Sequence, residues 1–294
     1  MTEPAERRER GAERMRGELA LRFSRSARLG RTVCAAEIQR PPLRIVRAFA
    51  CPDGAALVHL HNIAGGVLAG DRLRTEIAVE AGALAQLTTT GATRVYRSHD
   101  GRTASAETLA RVAAGGLLEY LPDATIPFAG ASYEQRTRVE LDDGAGLCWW
   151  EILAPGREAA GERFAYRRLG LSFEIWAGER PLALERMELE PARADPADPL
   201  RFGPYGYLAS CHICQVGLEP GRWLALAERL ALVAQELTAP GAAVWGVSPL
   251  AAHGLVVRGL ASTQRALADQ LPAFWRIAKQ ELRGSPLSIP RKLY

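Results

Sequence analysis

The sequence predicts a mainly β protein, with a stacked β-sheet, β-helix-like body and two α-helices in its C-terminal half. Many short segments alternate apolar and polar residues with the period of two that half-buried strands show. Three turn glycines, Gly82, Gly115 and Gly144, follow one another 33 and 29 residues apart. Spacing of this kind is typical of stacked β units. Successive hairpins would leave a similar pattern, so both interpretations stay open.

Composition excludes several classes of protein. The 294 residues are 48% hydrophobic and 24% charged, with a net charge of +4, so neither disorder nor nucleic-acid binding is indicated. No stretch of about 18 apolar residues exists, and the charged start lacks the apolar core of a signal peptide. Five thinly spread cysteines favour reduced thiols. We therefore expect a cytoplasmic protein that contacts neither membrane nor nucleic acid.

The chain divides into a leader and one domain. Residues 1–18 alternate acids and bases with almost nothing to bury, which predicts a disordered charged leader. Residues 19–294 are expected to form a single domain. Within it, 19–190 is a β-rich body, and 201–294 is a helix–strand–helix portion packed on that body. The proline-rich run between them predicts a loop.

The clearest strand is 132–141, where Tyr133, Gln135 and Thr137 alternate with charged neighbours, as expected when one face is wet. The other expected strands are 19–27, 31–38, 42–50, 55–63, 73–81, 83–90, 102–112, 117–121, 146–153, 169–177 and 182–190.

Helical periodicity begins after residue 220. The segments 221–240 and 262–284 carry apolar residues at helical spacing, with Pro272 interrupting the second and Ser262 or Thr263 as its cap. Residues 253–260 predict a strand between the two helices.

A glycine-rich run follows His59 and His61. Its glycines predict a tight turn, but their spacing matches neither a P-loop nor a dinucleotide fingerprint. The two histidines are two residues apart on a strand, so they share a face and could chelate one metal ion. Capping a turn and filling space are the alternative roles.

A second candidate metal run contains Cys211, His212 and Cys214. It offers soft ligands but lacks the second ligand pair that closes a tetrahedral zinc site. A transient metal contact is the remaining interpretation.

Carboxylates beside tryptophans raise an enzymatic alternative. Glu151 with a second acid could serve a β-helical carbohydrate hydrolase, with Trp149 or Trp150 as a sugar platform. Adjacent tryptophans on a strand point to opposite faces, so core packing is the favoured role for them. No nucleophile triad is recognisable.

Four runs taken together resemble the UreD (UreH) family of urease accessory proteins: GGVLAGDRL, TTTGATRVYRS, LEYLPDATIPFAGA and WEILAPGREAAGERF. The resemblance covers residues 19–294, including the terminal PRKLY. It implies a β-rich stack of sheets with two helices and a non-enzymatic role with no catalytic residues. The implied partners are urease apoprotein, UreF-like and UreG-like (GTPase) accessory proteins, and a UreE-like nickel metallochaperone. The implied cargo is transient Ni²⁺ conducted through the interior, with no tightly bound cofactor.

A conduit needs groups that hold a cation weakly and in succession. The resemblance therefore directs attention to Asp71, Glu151, Glu162 and Glu185 as transfer residues, with His59 and His61 as helpers and the Cys211 run ranked lower; solvated strand charges are the alternative. For the partner surface we expect the helices and tail, with Phe274, Trp275, Arg291 and Tyr294. Alanine at Phe274 and Trp275 is expected to abolish UreF-like binding while leaving the fold intact.

Overall fold

Two large β-sheets face each other in the computed structural model, which describes residues 15–284. Inward side chains of both sheets form one apolar core at the end where the chain turns tightly. A second core lies between the outer face of one sheet and two helices. This arrangement confirms the predicted mainly β, stacked-sheet body.

The first sheet has seven strands, and its inner strands run parallel to one another. The two outermost strands pair antiparallel with their neighbours. In spatial order the strands are β15 (Arg180–Leu189), β14 (Arg168–Ala177), β12 (Ser132–Leu141), β9 (Ala104–Val112), β6 (Arg72–Val79), β1 (Arg16–Ser26) and β2 (Arg31–Arg40).

The second sheet has eleven strands, with a parallel half that continues into an antiparallel half. Along its main path the strands are β17 (Ala243–Pro249), β18 (Gly254–Ala261), β16 (Tyr207–Gln215), β13 (Gly146–Leu153), β10 (Leu117–Tyr120), β7 (Leu84–Thr89), β5 (Ala56–Asn62) and β3 (Leu43–Arg44). Beside this path lie β4 (Ala48–Ala50), β8 (Thr93–Val95) and β11 (Thr125–Pro127).

The chain passes from the first sheet to the second through stacked glycine turns. Gly82, Gly115 and Gly144 have φ values of 66°, 67° and 70°, a left-handed conformation that favours glycine. The Gly82 N–H donates to Ala114 O at 3.0 Å, so one turn rests on the next. The strands before these turns pair in parallel. Stacked units, and not successive hairpins, therefore explain the repeat.

The opposite, narrow side of the body carries short strands of its own. β8 pairs in parallel with β11, and Val67 forms a bridge with Val95. A 3-10 helical turn, Glu158–Ala160, lies in the connection from β13 to β14.

Two helices cover the outer face of the second sheet. They are α1 (Pro220–Leu237) and α2 (Gln264–Arg283). Thr263 caps α2, because its side-chain oxygen accepts from the Ala266 N–H at 3.3 Å. Within residues 15–284 neither helix combines the length and the apolar character needed to cross a bilayer. Both predicted helices are confirmed, with Pro272 inside α2.

Several boundaries differ from the sequence predictions. The predicted strand 42–50 forms only as β3 and β4, and the backbone N–H of Ile45 between them is bound by the side chain of Gln39. β16 and β17 were not predicted. β1 begins at Arg16, three residues before the predicted start of the domain at residue 19, while residues 1–14 lie outside the described part of the chain.

Candidate functional site

A cavity of about 730 Å³ lies between the two sheets. One wall comes from β6, β9, β12, β14 and β15, and the other from β5, β7, β10, β13, β16 and β18. Exposed lining residues fall in two groups: Gly65, Thr90, Gly91 and Arg94 beside the narrow side, and Leu184, Arg186 and Arg258 on the edge strand β15 and on β18. The cavity therefore extends through most layers of the body, between two surface regions.

The first-sheet wall carries a row of hydroxyl groups. Thr75 pairs with Thr108, which in turn pairs with Thr137, so the three side chains stack in register on adjacent parallel strands. All three line the cavity. Parallel pairing of equivalent positions thus produces a polar row across three layers, which we call the threonine row.

Charged and polar groups continue across the second-sheet wall. Glu151 pairs in register with Ser210, and Ser210 pairs with Arg258. These three residues also line the cavity. Both walls therefore carry polar groups, which stand among apolar lining residues such as Leu171 and Phe173.

Glu151 is the innermost carboxylate of this wall. Gln135 Nε2 donates to Glu151 Oε1 at 2.7 Å, and Trp149 Nε1 donates to the same oxygen at 3.4 Å. Burial raises the pKa of Glu151 to about 7, and the negative charge of Glu185 adds to this effect, although the two hydrogen bonds oppose it. Glu151 can therefore change its charge near neutral pH.

Glu185 lies in the same cavity within a small ionic cluster. His212 Nε2 donates to Glu185 Oε1 at 2.9 Å, and Arg258 also contacts that oxygen. Burial acts to raise the pKa of Glu185, but the hydrogen bonds and charges of its two neighbours outweigh burial and lower it. His212 stacks on Phe173 with 4.5 Å between ring centroids. Glu185 is thus held by two neighbours, one of which is fixed in turn by Phe173.

The two candidate histidines of β5 have different surroundings. His61 lines the cavity, and His59 packs edge-on against Phe49 with ring centroids 5.7 Å apart. The structure places only His61 with the cavity carboxylates.

The candidate transfer residue Asp71 is buried beside the glycine-rich turn, where it binds backbone N–H groups. It is 2% exposed, and its carboxylate accepts from the Leu68 N–H at 2.9 Å and the Met15 N–H at 3.3 Å. These bonds close the glycine-rich turn. Asp71 is not among the residues that line the cavity.

Glu162 lies on the narrow side of the body and is not among the cavity-lining residues. Its carboxylate accepts from the Ala129 N–H at 3.0 Å and from both ends of the Arg157 guanidinium. These contacts, with the Arg157 hydrogen bond as the largest effect, lower the pKa of Glu162 to about 2. The carboxylate therefore fixes the connection between β13 and β14.

The Cys211 run divides between the two faces of β16. Cys211 belongs to the core under the helices, where its Sγ lies 3.9 Å from the Sγ of Cys148. His212 and Cys214 point the other way, toward the first sheet. Alternation along a strand therefore separates the three ligands. None of the five cysteines, all within residues 15–284, forms a disulfide.

The candidate partner surface requires a correction. Phe274 and Trp275 are 0% and 1% exposed and pack in the core beneath the helices. Truncating them would therefore remove core packing, so the expectation that the fold stays intact is wrong. Arg291 and Tyr294 lie outside the described residues.

A buried ionic cluster under α2 was not predicted. Lys279 Nζ lies 2.8 Å from Asp53 Oδ2 and 2.9 Å from Glu119 Oε2, and its side chain is 3% exposed. Gln86 Nε2 donates to Glu119 at 3.0 Å, and Trp275 Nε1 donates to it at 2.6 Å. Lys279 and Glu119 are 160 residues apart in the chain, so no local pattern could have paired them.

The predicted tryptophan orientation is confirmed. Trp149 packs in the core between the sheets, and Trp150 packs in the core beneath the helices. Trp150 Nε1 donates to Pro122 O at 2.9 Å.

Among residues 15–284, no three histidine, cysteine or acidic side chains are placed to share one metal ion.

The fold and the cavity together define a class of protein, a stacked-β scaffold that encloses a cavity with polar groups on both walls. Comparison with known proteins specifies the family. A family model described as UreD urease accessory protein matches residues 15–293. The chain belongs to this family.

Individual relatives agree along almost the whole chain. The urease accessory protein UreD of Herpetosiphon aurantiacus is 51% identical over 282 residues, which is 96% of this chain and 98% of that protein. The protein of the same name from Deinococcus radiodurans is 35% identical over 279 residues, covering 94% of each chain. That of Dechloromonas aromatica is 34% identical over 278 residues, covering 93% and 92%.

Proposed function

We propose that this chain is a maturation factor that enables nickel to enter urease. In this proposal it binds the urease apoprotein, works with UreF-like and UreG-like partners, and conducts Ni²⁺ through its interior cavity. A UreE-like metallochaperone would supply the ion. The family match and the related urease accessory proteins support the general role. The cavity supports the conduction step.

The observation that carries the proposal is that polar groups stand on both walls of a cavity that extends across most layers of the body, among apolar side chains that make up the larger part of its lining. The threonine row lines one wall, and Glu151, Ser210 and Arg258 line the other. A hydrated divalent cation needs oxygen or imidazole groups along its path, since an apolar wall cannot replace its hydration shell. The cavity offers such groups at successive depths.

The carboxylates of the cavity are suited to weak, reversible contact. Glu151 already accepts hydrogen bonds from Gln135 and Trp149, and Glu185 is held by His212 and Arg258. A passing cation would have to compete with these partners for the same oxygens. That competition limits how tightly the ion is held, which favours onward movement.

Chemical turnover is assigned to a partner in this proposal. GTP hydrolysis would occur in the UreG-like protein, and the present chain would contribute binding surfaces and a path. We accordingly propose a cytoplasmic, non-catalytic role with no tightly bound cofactor.

Blocking the cavity tests the proposal. Thr108→Trp places an indole among the residues of the threonine row, where the existing space accommodates it. Glu107→Trp, on the exposed outer face of the same strand, is the matched control. Each variant is expressed with the urease subunits and accessory proteins, and the activity and nickel content of purified urease are measured.

Three results are decisive. Wild type and Glu107→Trp should yield active, nickel-loaded urease, whereas Thr108→Trp should reduce both quantities at least tenfold while its melting temperature stays close to wild type. Full nickel loading by a folded Thr108→Trp variant would contradict conduction through the cavity. Equal urease activation with and without the wild-type chain would contradict the maturation role itself.

A further inference from the structure

The narrow side of the body carries a cluster of arginines on a rigid base. The cluster, which we call the arginine patch, comprises Arg94, Arg97, Arg102, Arg157 and Arg167, and all but Arg102, which is half-buried, are exposed. Arg94 lies on β8, Arg97 and Arg102 lie in the connection from β8 to β9, and Arg157 and Arg167 lie in the connection from β13 to β14.

Backbone contacts hold the segments of the patch together. Arg97 forms a bridge with Ala131, and the Arg167 N–H donates to Ala131 O at 2.8 Å. The Ser98 hydroxyl donates to the backbone carbonyl oxygen of Arg102 at 2.8 Å. Residues scattered over about 70 positions of the chain therefore form one contiguous surface.

An aromatic stack supports the guanidinium groups. The rings of Tyr96 and Phe128 meet edge-on with centroids 4.9 Å apart, and the Arg157 guanidinium lies 4.1 Å from the Phe128 centroid. Tyr96 Oη donates to Gly65 O at 3.3 Å. A rigid surface of arginine and aromatic side chains is typical of residues that dominate protein–protein binding energy.

The charges of the patch do not cancel. Asp100 pairs with Arg102, and Glu162 pairs with Arg157. Within residues 15–284, Arg94 and Arg167 form no ion pair, and Arg97 donates to a backbone carbonyl, Ala129 O. Five guanidinium groups therefore face two carboxylates. The broad outer face of the first sheet differs, because arginines there are paired with glutamates of the neighbouring strands.

The patch adjoins one end of the cavity. Arg94 lines the cavity together with Gly65 and Gly91, which are exposed. Two exposed apolar side chains, Ile63 at 57% and Leu68 at 46%, lie in the glycine-rich turn that contributes to the same rim. A cation leaving or entering at this end would pass beside uncompensated positive charge.

We propose that the arginine patch is the docking surface for an acidic face of a protein partner, at the step where the cation passes between that partner and the cavity. The proposal rests on the proposed conduction of a divalent cation. Like charges repel, so the bare patch disfavours passage of a free divalent cation through this end. An acidic partner seated on the patch neutralises it and supplies carboxylates next to the opening, so passage is coupled to docking.

Charge reversal tests the docking surface. Arg94→Glu/Arg167→Glu changes two exposed side chains for which no hydrogen bond or ion pair is seen within the described residues. Arg25→Glu/Arg28→Glu makes the same change of charge at the β1–β2 turn, on the opposite side of the body. Binding of purified full-length variants to urease apoprotein and to the UreF-like protein is measured by biolayer interferometry at 50 and 300 mM NaCl.

Arg94→Glu/Arg167→Glu should raise Kd for one of these two partners by about tenfold or more at 50 mM NaCl, and wild-type binding to that partner should weaken at 300 mM. The control should stay within about twofold of wild type. If the patch variant misfolds, as judged by its melting temperature, Arg94→Gln/Arg167→Gln replaces it with an expected smaller loss in the same direction. Unchanged affinity of the folded patch variant for both partners would overturn the docking proposal.

The urease activation assay separates this proposal from the proposed function. If the patch variant binds both partners normally and wild type still activates urease, docking at the patch is wrong while nickel delivery stands. If the wild-type chain has no effect on urease, the proposed function fails whatever the binding data show.

Discussion

Replacing Lys279 with methionine should destabilise the protein by about 3–5 kcal/mol. Lys279 Nζ lies within 2.9 Å of carboxylates of both Asp53 and Glu119, and the three side chains are 3%, 6% and 2% exposed. Methionine fills nearly the same space without charge. The substitution therefore leaves two carboxylates in a buried site with no ammonium partner, which is the costly way to break a buried ion pair.

The magnitude follows from burial. An exposed ion pair contributes about 0–1 kcal/mol, because water solvates each charge when its partner is lost. Water has little access to Glu119, which has Gln86 and Trp275 as its remaining hydrogen-bond partners. A loss of about 3–5 kcal/mol corresponds to a decrease in melting temperature of roughly 6–20 °C for a chain of this size.

Urea denaturation monitored by tryptophan fluorescence measures this loss of free energy. The centroid of the Trp275 ring lies 5.1 Å from Lys279 Nζ, so its fluorescence should report local and global unfolding. The triple variant Lys279→Met/Asp53→Asn/Glu119→Gln removes the charges together and should recover more than half of the lost free energy. A Lys279→Met variant within about 1 kcal/mol of wild type would refute the reasoning, because the cluster would then be behaving as a solvated ion pair.

Three further substitutions test other parts of the structure. Glu151→Gln should stabilise the protein above pH 7 by an amount on the order of 3 kcal/mol, and should have no such effect below pH 4. The reason is that the pKa of Glu151 is raised to about 7 in the folded protein, so the wild type loses stability as the pH rises toward and through that value. Urea titrations that give the variant and the wild type equal pH profiles would contradict this prediction. Gly66→Ala should lower the free energy of unfolding by about 1–3 kcal/mol, because the added Cβ would lie 2.4 Å from the Tyr96 ring. Gly91→Ala is the control, since its added Cβ would meet no atom within 4 Å. Equal melting temperatures for the two variants would show that the aromatic stack adapts. Phe274→Ala should cost about 3–5 kcal/mol, as measured by urea denaturation, and a fully stable variant would restore this residue as a candidate surface residue.

Elements with one wet face could be predicted from the sequence. Residues 132–141 alternate strictly, and β12 has those bounds. β16 could not be predicted in this way because both of its faces are buried, so its alternation is masked. Ala209 and Ile213 face the helices, while His212 and Cys214 face the first sheet. The segment with Cys211, His212 and Cys214, which resembled a metal-binding run, is therefore part of a central strand.

The cavity was only partly accessible to sequence reasoning. Glu151 and Glu185 line it as expected of transfer candidates, but Asp71 and Glu162 serve turns and connections outside it. The threonine row could have been predicted from the internal repeat, although no single motif contains it. Each of its three threonines stands seven residues before one of the repeating turn glycines. Aligning the repeat copies on those glycines would have brought the threonines together.

The parallel stacking also has a kinetic consequence for the newly made chain. β6 pairs with β9, and β9 with β12, so each pairing joins residues roughly 30 positions apart. Loop-closure entropy must be overcome before such contacts form, which makes folding slow and leaves strand edges open meanwhile. The last strands of the second sheet, β16, β17 and β18, join only after the parallel half has been synthesised. The core of that sheet is therefore completed late in folding, and a partner that covers open edges at this stage would raise the yield of folded protein.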